Sequence, residues 1–304
     1  MAELTVIIVS YETRELTLTA IATLLENAGP VAMRVVVWDN ASTDGSADAI
    51  AARFPQVELV RSAENVGFAR ANNAVAEGAE SEWLLLLNPD TETRPGAIAA
   101  LLAFAKDHPD AGIVGGRTLF ADGSLNPASC WNRITPWSLL CSATGLTRAF
   151  PGSTLFNPEG IGDWRRDSVR RVDIVTGCFL MIPTRLWRQL GGFDERYFMY
   201  GEEADLCLRA ARLGYRPMIT PAAEIVHLVG ASTPRRIDKL VGVMRARGTL
   251  VRAHWSPGLV PLGMGLFALW GVLRLVGSRF SGGREERALW RGIWHRRSEW
   301  MRGY

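Results

Sequence analysis

The chain has 304 residues, enough for one large domain or two small ones. Its composition, 48% apolar and 21% charged, is typical of a globular protein. The four cysteines follow neither the spacing of a zinc motif nor that of a disulfide framework. The start, Met1 to Leu4, has no basic segment and leads into a strand, so the sequence predicts no signal peptide and a reducing, cytoplasmic location.

Charge divides the chain into two parts. Residues 234–304 contain 14 Lys and Arg against 4 Asp and Glu, a net charge of +10, whereas residues 1–233 have a net charge of −7. The C-terminal part also contains five of the eleven tryptophans and an apolar stretch from Gly258 to Leu273. These features together are typical of proteins that attach to a membrane surface. We therefore predict a body over 1–233 and a basic, Trp-rich helical tail over 234–304.

The first half of the chain alternates short apolar runs with helical patterns. The predicted strands are Val6–Val9, Val35–Trp38, Val57–Val60 and Trp83–Leu87. The predicted helices between them are Glu15–Asn27, Ser46–Phe54 and Phe68–Gly78. This alternation predicts an α/β fold with a mostly parallel sheet and helices on both of its faces.

The second half is less regular. A helix over about Pro95–Lys106 leads to the apolar run Gly112–Gly115, and a loop rich in Gly, Pro, Asn and Trp follows over Asp122–Trp164. A loop of that length inside a compact domain indicates a functional role, such as a lid or an acceptor site. We predict a further strand over Val172–Ile182 and a helix over Glu202–Leu213.

A carboxylate follows the most apolar of the predicted strands. Trp83–Leu87 ends at Asn88 and Pro89, and Asp90 comes next. Ligands of open α/β sheets bind beyond the carboxyl ends of such strands, and a carboxylate there suits a hard cation that bridges phosphate oxygens. The alternative is that these residues cap the following helix.

The first two strands also end in polar residues. Ser10 and Tyr11 follow the first strand without a glycine-rich turn, which excludes a dinucleotide fingerprint and a P-loop. Asp39 and Asn40 follow the second strand, where Asp39 could accept the imide N–H of a pyrimidine and Asn40 could donate nearby. Turn chemistry and helix capping are the alternative, and they explain the neighbouring Ser42 and Asp44.

A polar segment follows the third strand. Asn65 and Gly67 precede a predicted helix whose first turns contain Arg70 and Asn72. Glycine allows the backbone to approach a ligand closely, and the two side chains could line a nucleotide cleft. Capping by Asn65 and ordinary helix polarity explain the segment nearly as well.

The densest group of acidic residues opens the last predicted helix of the body. Glu202, Glu203 and Asp205 lie there, next to the aromatic segment that includes Tyr197 and Phe198. The helix dipole stabilises negative charge at this end, which could account for one or two of them. Carboxylates beside apolar rings can have raised pKa values, as a general base acting on a hydroxyl requires. We favour catalysis over capping.

A histidine, His227, follows an apolar run at another predicted strand end. A lone histidine is more often a hydrogen-bonded structural residue than a ligand. Together with Asp90 it could complete the coordination of a divalent metal.

Taken in order, these motifs resemble the family 2 glycosyltransferases of GT-A fold, and in particular their bacterial rhamnosyltransferase-like members. The resemblance covers about residues 4–232. The motifs that carry it are Val6–Tyr11, Trp38–Ser42, Asn65–Phe68, Leu87–Asp90, Gly177–Leu180 and Phe198–Leu206.

The resemblance implies a GT-A-type nucleotide-binding sheet and a role for each matched residue. Asp39 would bind the nucleobase, and Asn88 to Asp90 stand where many relatives have Asp-x-Asp. Because the first acid is an amide here, only Asp90 is carried over as a metal ligand, with His227 as the further ligand that some relatives use. The remaining donor-site candidates are Ser10, Tyr11, Asn40, Asn65, Gly67, Arg70, Asn72 and Asn88; Gly177 and Asp194 are the candidates for the sugar or acceptor.

The implied reaction is an inverting, single-displacement sugar transfer from a nucleotide-sugar donor, dTDP-rhamnose or a UDP-sugar. The family's Glu-Asp pair appears as Glu202-Glu203, which assigns the base to Glu203, with Asp205 as the runner-up. Mg²⁺ or Mn²⁺ on Asp90 would neutralise the departing nucleoside diphosphate. The acceptor would be a glycan or a polyprenyl-diphosphate-linked sugar.

The tail suits such an acceptor. Gly258–Leu273 has 16 residues before Arg274, fewer than the roughly 20 that span a bilayer, so we expect helices lying in the interface at the inner face of the cytoplasmic membrane. Dimerisation through the same apolar face is the alternative.

Three other functions fit the sequence less well. A nucleotidyltransferase should have a glycine-rich loop with Arg and Lys after its first strand, and Ser10 to Arg14 is not such a loop. A catalytically silent sugar- or lipid-binding membrane subunit would not need intact Asp39, Asp90, Glu203 and His227. Nucleic-acid binding by the Arg-rich tail fits its tryptophans and apolar stretch less well than a membrane does.

Overall fold

The computed structural model of the protein describes residues 2–228, 236–281 and 283–304. The predicted domain boundary between residues 233 and 234 lies outside the described residues. The strands are β1 (Leu4–Ser10), β2 (Met33–Asp39), β3 (Glu58–Arg61), β4 (Trp83–Leu87), β5 (Thr91–Thr93), β6 (Val114–Leu119), β7 (Leu125–Asn126), β8 (Cys130–Trp131), β9 (Arg170–Arg171), β10 (Ile174–Val175), β11 (Phe179–Pro183) and β12 (Met218–His227). The helices are α1 (Arg14–Asn27), α2 (Ser46–Arg53), α3 (Phe68–Glu77), α4 (Ala97–Asp107), α5 (Pro136–Thr144), α6 (Leu146–Ala149), α7 (Thr184–Leu190), α8 (Glu202–Arg212), α9 (Arg236–His254), α10 (Val260–Ser281), α11 (Arg284–His295) and α12 (Arg297–Arg302).

The chain forms two compact units. Unit 1 comprises the described residues of Met1–Trp131, Arg165–Phe198 and Glu202–Ser232, and it contains the large sheet. Unit 2 comprises the described residues of Asn132–Trp164, Met199–Gly201 and Thr233–Tyr304. The segment 132–164 therefore belongs to the same unit as the C-terminal helices.

Unit 1 is built on a sheet with the strand order β3-β2-β1-β4-β11-β6-β12-β5. The pairs β3–β2, β2–β1 and β1–β4 are parallel, so β1, β2 and β4 end at the same edge. Beyond β4 the sheet is mixed, since β11 runs antiparallel to both β4 and β6, and β5 runs antiparallel to β12. Every residue of β4 is buried, as expected for a central strand covered on both faces. The predicted α/β fold is confirmed.

Two strand pairings, β11 with β4 and β12 with β5, bring predicted site residues together from distant parts of the chain. Phe179 of β11 lies opposite Leu87 of β4, so the residues just before β11 lie beside those just after β4. His227, the last residue of β12, lies opposite Thr91 of β5, the residue that follows Asp90. These two pairings bring residues 177–178, 88–90 and 227 to one region of the sheet edge.

Three sequence predictions differ from the structure. Val172–Ile182 is not one strand, because β10 leaves the large sheet to pair with β8, and only β11 joins β4. The predicted loop Asp122–Trp164 contains α5 and α6. Thr135 and Ser138 form a capping box at the start of α5, and Pro136 occupies its first turn, a start signal that the Gly and Pro content of the segment obscured.

The third difference concerns the apolar stretch of the tail. The helix α10 has 22 residues and continues through Arg274, so the 16-residue count underestimated its length. Residues Pro257–Phe280 form one helical segment that is long and apolar enough to cross a membrane by length and composition. Within unit 2, α10 packs against α5, α9 and α11, and α12 packs against α9.

Candidate active site

The carboxylate of Asp39 lies at the carboxyl end of β2, where Ser10 of β1 is its partner in the sheet. Asp39 is buried, and its Oδ2 accepts a hydrogen bond from the backbone N–H of Ser42 at 3.2 Å. Its Oδ1 is buried and has no hydrogen-bond partner among the described residues. A buried carboxylate oxygen without a donor is costly in the ligand-free protein, and an N–H of a bound base would satisfy it.

Two loops beside Asp39 are tied together by reciprocal hydrogen bonds. The Glu12 carboxylate accepts from the backbone N–H and the hydroxyl of Thr43, at 2.7 and 3.0 Å, while the backbone N–H of Glu12 donates to the Ser42 hydroxyl at 3.1 Å. The backbone N–H of Arg14 donates to Asp44 at 2.9 Å. These hydrogen bonds hold the segments after β1 and β2 together. The sequence did not indicate this role for Glu12, because its partners lie about 30 residues away.

Asn40 holds the segment that follows β3. Its amide oxygen accepts from the Val66 N–H at 2.9 Å, and its amide nitrogen donates to Asn65 Oδ1 at 2.9 Å. Gly67 has a φ of +85°, and a Cβ there would lie 2.6 Å from the carbonyl oxygen of Phe198. Glycine is therefore required at position 67 because the protein backbone at Phe198 approaches it closely. The amides of Asn40 and Asn65 hold this turn through their hydrogen bonds.

The other donor-site candidates differ in exposure and in their contacts. Ser10 is fully buried, and its hydroxyl is hydrogen-bonded to the Thr17 hydroxyl at 2.9 Å, whereas Tyr11 is exposed. Arg70 is exposed and pairs with Glu195 at 3.2 Å. Asn72 is buried; its amide nitrogen donates to the Phe68 carbonyl, and its Oδ1 has no partner among the described residues.

The second carboxylate at this sheet edge, Asp90, lies against His227. The two side chains are mostly buried, and His227 Nε2 is 3.2 Å from Asp90 Oδ1. Burial opposes protonation of His227, but the neighbouring Cys178 side chain and the Asp90 carboxylate outweigh it and raise the pKa of the imidazole to about 10. The turn is held by backbone, since the Leu228 N–H donates to the Asp90 carbonyl at 2.9 Å.

Asp90 and His227 could together bind a divalent cation whose other ligands come from the substrate and water. No group of three or more His, Cys, Asp or Glu side chains suited to a metal occurs among the described residues, so the protein would supply about two ligands. Mg²⁺ and Mn²⁺ are commonly held by one or two protein ligands together with substrate phosphates and water. The imidazole must lose its proton to coordinate a metal, which the adjacent cation would favour.

The three acidic residues of α8 have different environments. Glu202 is buried, and burial together with the neighbouring Glu203 raises its pKa well above the ordinary range. Glu203 is only partly buried. Asp205 is buried and pairs with Arg209 at 2.6 Å, and Arg209 in turn donates to the carbonyls of residues 190 and 192. Asp205 therefore supports the turn that follows α7.

Asp194 is engaged in its own turn. Its carboxylate accepts from the backbone N–H and the guanidinium of Arg196, and these hydrogen bonds lower the pKa of Asp194 below its ordinary value. Close by, Tyr197 is fully buried, and burial together with the charges of Asp205 and Asp194 raises its phenol pKa.

A short segment connects the acids of α8 with the Asp90–His227 pair. A Cβ on Gly177 would lie 3.6 Å from the Cβ of Glu203. The next residue, Cys178, lies beside the His227 side chain, and its carbonyl accepts from the Asn88 N–H at 3.1 Å. Gly177 and Cys178 thus place the candidate base next to the candidate metal ligands. Cys178 was not among the predicted site residues, because only the pairing of β11 with β4 brings it there.

A separate cavity of about 520 Å³ lies at the other end of the central strands, where β4 begins. It is lined by Trp83, the first residue of β4, and by Pro183, the last residue of the antiparallel β11. None of the predicted site residues lines it. Since ligands of open α/β sheets bind at the carboxyl ends of the parallel strands, the edge with Asp39 and Asp90 is the candidate active site.

Comparisons with known proteins identify the family of this chain. The model of glycosyl transferase family 2 matches residues 5–172. Over 216 residues, 66% of this chain and 68% of the relative, the chain is 33% identical to N-acetylglucosaminyl-diphospho-decaprenol L-rhamnosyltransferase of Mycobacterium tuberculosis. It is 27% identical over 264 residues to the O-antigen biosynthesis protein RfbC of Myxococcus xanthus, covering 84% of this chain and 19% of that protein.

The fold has solved counterparts. The mannosyltransferase PcManGT from Pyrobaculum calidifontis, solved in complex with GDP-Man and Mn²⁺, matches 99% of this chain and 84% of its own with a TM-score of 0.60 and 18% identity. That likeness shows a shared fold, and the motif-based resemblance is confirmed by the family match and by the rhamnosyltransferase identity. The protein belongs to glycosyl transferase family 2, and it is a glycosyltransferase related to bacterial rhamnosyltransferases.

Proposed function

We propose that the protein is a metal-dependent, inverting glycosyltransferase that acts in the synthesis of a cell-surface polysaccharide. Its donor would be dTDP-rhamnose or a UDP-sugar, and its acceptor a polyprenyl-diphosphate-linked sugar or a glycan. The related mycobacterial protein is a rhamnosyltransferase of a diphospho-decaprenol-linked acceptor, which supports this choice. The observation that carries the proposal is that the adjacent residues Gly177 and Cys178 lie beside Glu203 and His227, respectively, so that a base on Glu203 would be close to a cation on His227.

The donor would be held at the carboxyl ends of β1 and β2. The unpartnered Oδ1 of Asp39 suits the imide N–H of thymine or uracil. A divalent cation on Asp90 and His227, Mn²⁺ or Mg²⁺, would neutralise charge on the leaving diphosphate when it is bound.

Glu203 would act as the general base. Its carboxylate takes the proton from an acceptor hydroxyl while that oxygen attacks the anomeric carbon of the donor sugar. The bond between the anomeric carbon and the diphosphate oxygen breaks, the nucleoside diphosphate leaves with the bonding electrons, and the configuration inverts. Glu202 keeps its proton more readily because it is buried beside Glu203, so it does not compete as a base once Glu203 is ionised.

The tail supports a membrane-linked acceptor. We propose that the chain attaches peripherally to the inner face of the cytoplasmic membrane through unit 2, where the long apolar helix α10 and the basic tail occur together. The alternative use of this surface is a homodimer.

Donor turnover tests the proposal. Release of nucleoside diphosphate from dTDP-rhamnose and from UDP-sugars would be measured with a polyprenyl-diphosphate N-acetylglucosamine acceptor, in Mn²⁺ or in EDTA. We expect one donor to be used, activity to need the metal, and Glu203→Gln to lose about 10²-fold to 10⁴-fold in kcat. The matched control is Glu58→Gln, which alters an exposed carboxylate paired with Arg34. Donor binding without turnover by the unmodified chain would instead indicate a catalytically silent subunit.

A further inference from the structure

The helix α10 has two different apolar faces. On one face, Met264 and Phe267 are buried. A Cβ on Gly263 would lie 2.6 Å from the Trp255 ring, and one on Gly271 would lie 3.1 Å from Trp300, so this side is closely packed within unit 2. The helix is therefore anchored along one side.

The opposite face is open. Its exposed side chains recur at intervals of seven, four, three and four residues, which places them along a single stripe of the helix. They are Leu262, Leu269, Leu273, Val276 and Phe280. Phe280 is 87% exposed, and a Cβ on Gly265 would meet no atom within 4 Å. At 1.5 Å per residue the stripe is about 27 Å long, well beyond the scattered apolar residues of an ordinary surface.

Exposed arginines lie at the carboxyl-terminal end of the stripe and in the helix that follows it in the chain. Arg279 on α10 is exposed, and Arg284, Arg287 and Arg291 lie one and two turns apart on α11. None of these four pairs with a carboxylate among the described residues. Trp270 and Trp290, whose rings meet edge to face at 5.4 Å, join α10 to α11.

The positive charge of the tail favours an anionic lipid surface over a second copy of the chain as the partner of this face. Residues 234–304 have a net charge of +10, so two copies meeting through this face would bring like charges together. An anionic lipid surface complements both features, because headgroups attract the arginines and acyl chains accept the leucines and the phenylalanine.

Packing also decides the orientation. A helix that crossed the bilayer would have to expose the side that now contacts Trp255 and Trp300, and Trp300 is fully buried with its Nε1 donating to the Ile293 carbonyl at 3.0 Å. The helices on that side carry many of the arginines, which could not follow it into the hydrocarbon region. With unit 2 folded, α10 has one face for lipid.

We infer that α10 lies in the plane of the membrane and docks on anionic lipid through the stripe Leu262, Leu269, Leu273, Val276 and Phe280, without spanning the bilayer. This docking face rests on the peripheral membrane attachment of the proposed function.

Vesicle binding tests the face. The full chain would be sedimented with phosphatidylcholine vesicles with and without phosphatidylglycerol. We expect binding to need the anionic lipid, and Leu269→Glu/Leu273→Glu to weaken it at least about 100-fold. Val169→Glu/Leu213→Glu, which alters two exposed apolar residues of unit 1, should bind as the unmodified chain does. Thermal melts verify that all variants fold. Equal binding by both double variants, or a lipid-free dimer that only the α10 variant disrupts, would overturn the inference.

Labelling tests the orientation. The four native cysteines are buried, so single cysteines at Gly258 and Gly283, near the two ends of α10, can be labelled selectively. A membrane-impermeant maleimide should reach both positions in inside-out membrane vesicles and neither in right-side-out ones. Labelling of the two positions from opposite sides would show a span.

Activity separates this inference from the proposed function. With a short-chain, water-soluble acceptor, Leu269→Glu/Leu273→Glu should turn over donor at the unmodified rate. If no donor or acceptor in the panel is used but vesicle binding follows the pattern above, the proposed function fails and the docking face stands.

Discussion

His227 and Asp90 lie 3.2 Å apart although they come from distant parts of the chain, because β12 pairs with β5 in a register that sets His227 opposite Thr91, the residue after Asp90. Both side chains are largely shielded from water. A carboxylate and an imidazole held in this way are suited to share one cation.

If the two side chains share a cation, removing the imidazole should weaken metal binding more than it weakens folding. His227→Gln is expected to raise the dissociation constant for Mn²⁺ at least about tenfold, measured by electron paramagnetic resonance in the presence of nucleoside diphosphate. Excess Mn²⁺ should restore part of the activity. His108→Gln, on the amino-terminal side of the sheet, is the control, and equal affinities for both variants would exclude His227 as a ligand.

The two candidate bases of α8 should separate in their effects. Asp205→Asn removes a buried partner of Arg209 and should lower the free energy of unfolding by about 2 kcal/mol, as followed by urea denaturation. Glu203→Gln should cause the larger loss of kcat. The assignment reverses if Asp205→Asn folds normally and has the larger loss of kcat.

The raised pKa of Glu202 has a consequence for stability. The folded state holds this proton to higher pH than the unfolded state, so the unmodified protein loses stability as pH rises from the ordinary glutamate range through the folded pKa. Glu202→Gln cannot ionise and should avoid that loss. We expect it to melt close to the unmodified protein near pH 4 and to be more stable than the unmodified protein at pH 7. A variant that is less stable at pH 7 would show that the buried carboxylate is ionised and stabilised.

Nucleobase recognition by Asp39 can be tested from both sides of the contact. Asp39→Ala should raise the KM for the donor about 10-fold to 100-fold with a smaller change in kcat, since one charge-assisted hydrogen bond is lost. Methylation of the donor's imide nitrogen should raise the KM of the unmodified protein by a similar factor and should change the KM of the variant little. An equal loss for both proteins would place the nucleobase elsewhere.

Much of the fold and part of the site were determined by local sequence patterns. The apolar runs of β1, β2 and β4, separated by helical segments, predict a parallel sheet, and residues that follow a strand such as Asp39 and Asp90 must then lie at its carboxyl edge. These conclusions depend on periodicity within about ten residues, which the sequence displays directly.

Tertiary structure decided what depends on contacts between distant segments. Only the registers of β11 and β12 bring Cys178 and His227 to Asp90, and only packing buries Glu202 while leaving Glu203 more accessible. In the tail, residues 260–273 of α10 are apolar on every face in sequence, so periodicity could not distinguish the side that packs on Trp300 from the side with Leu269 that remains open. Strand register and burial are properties of the assembled chain, because each depends on partners that local sequence does not specify.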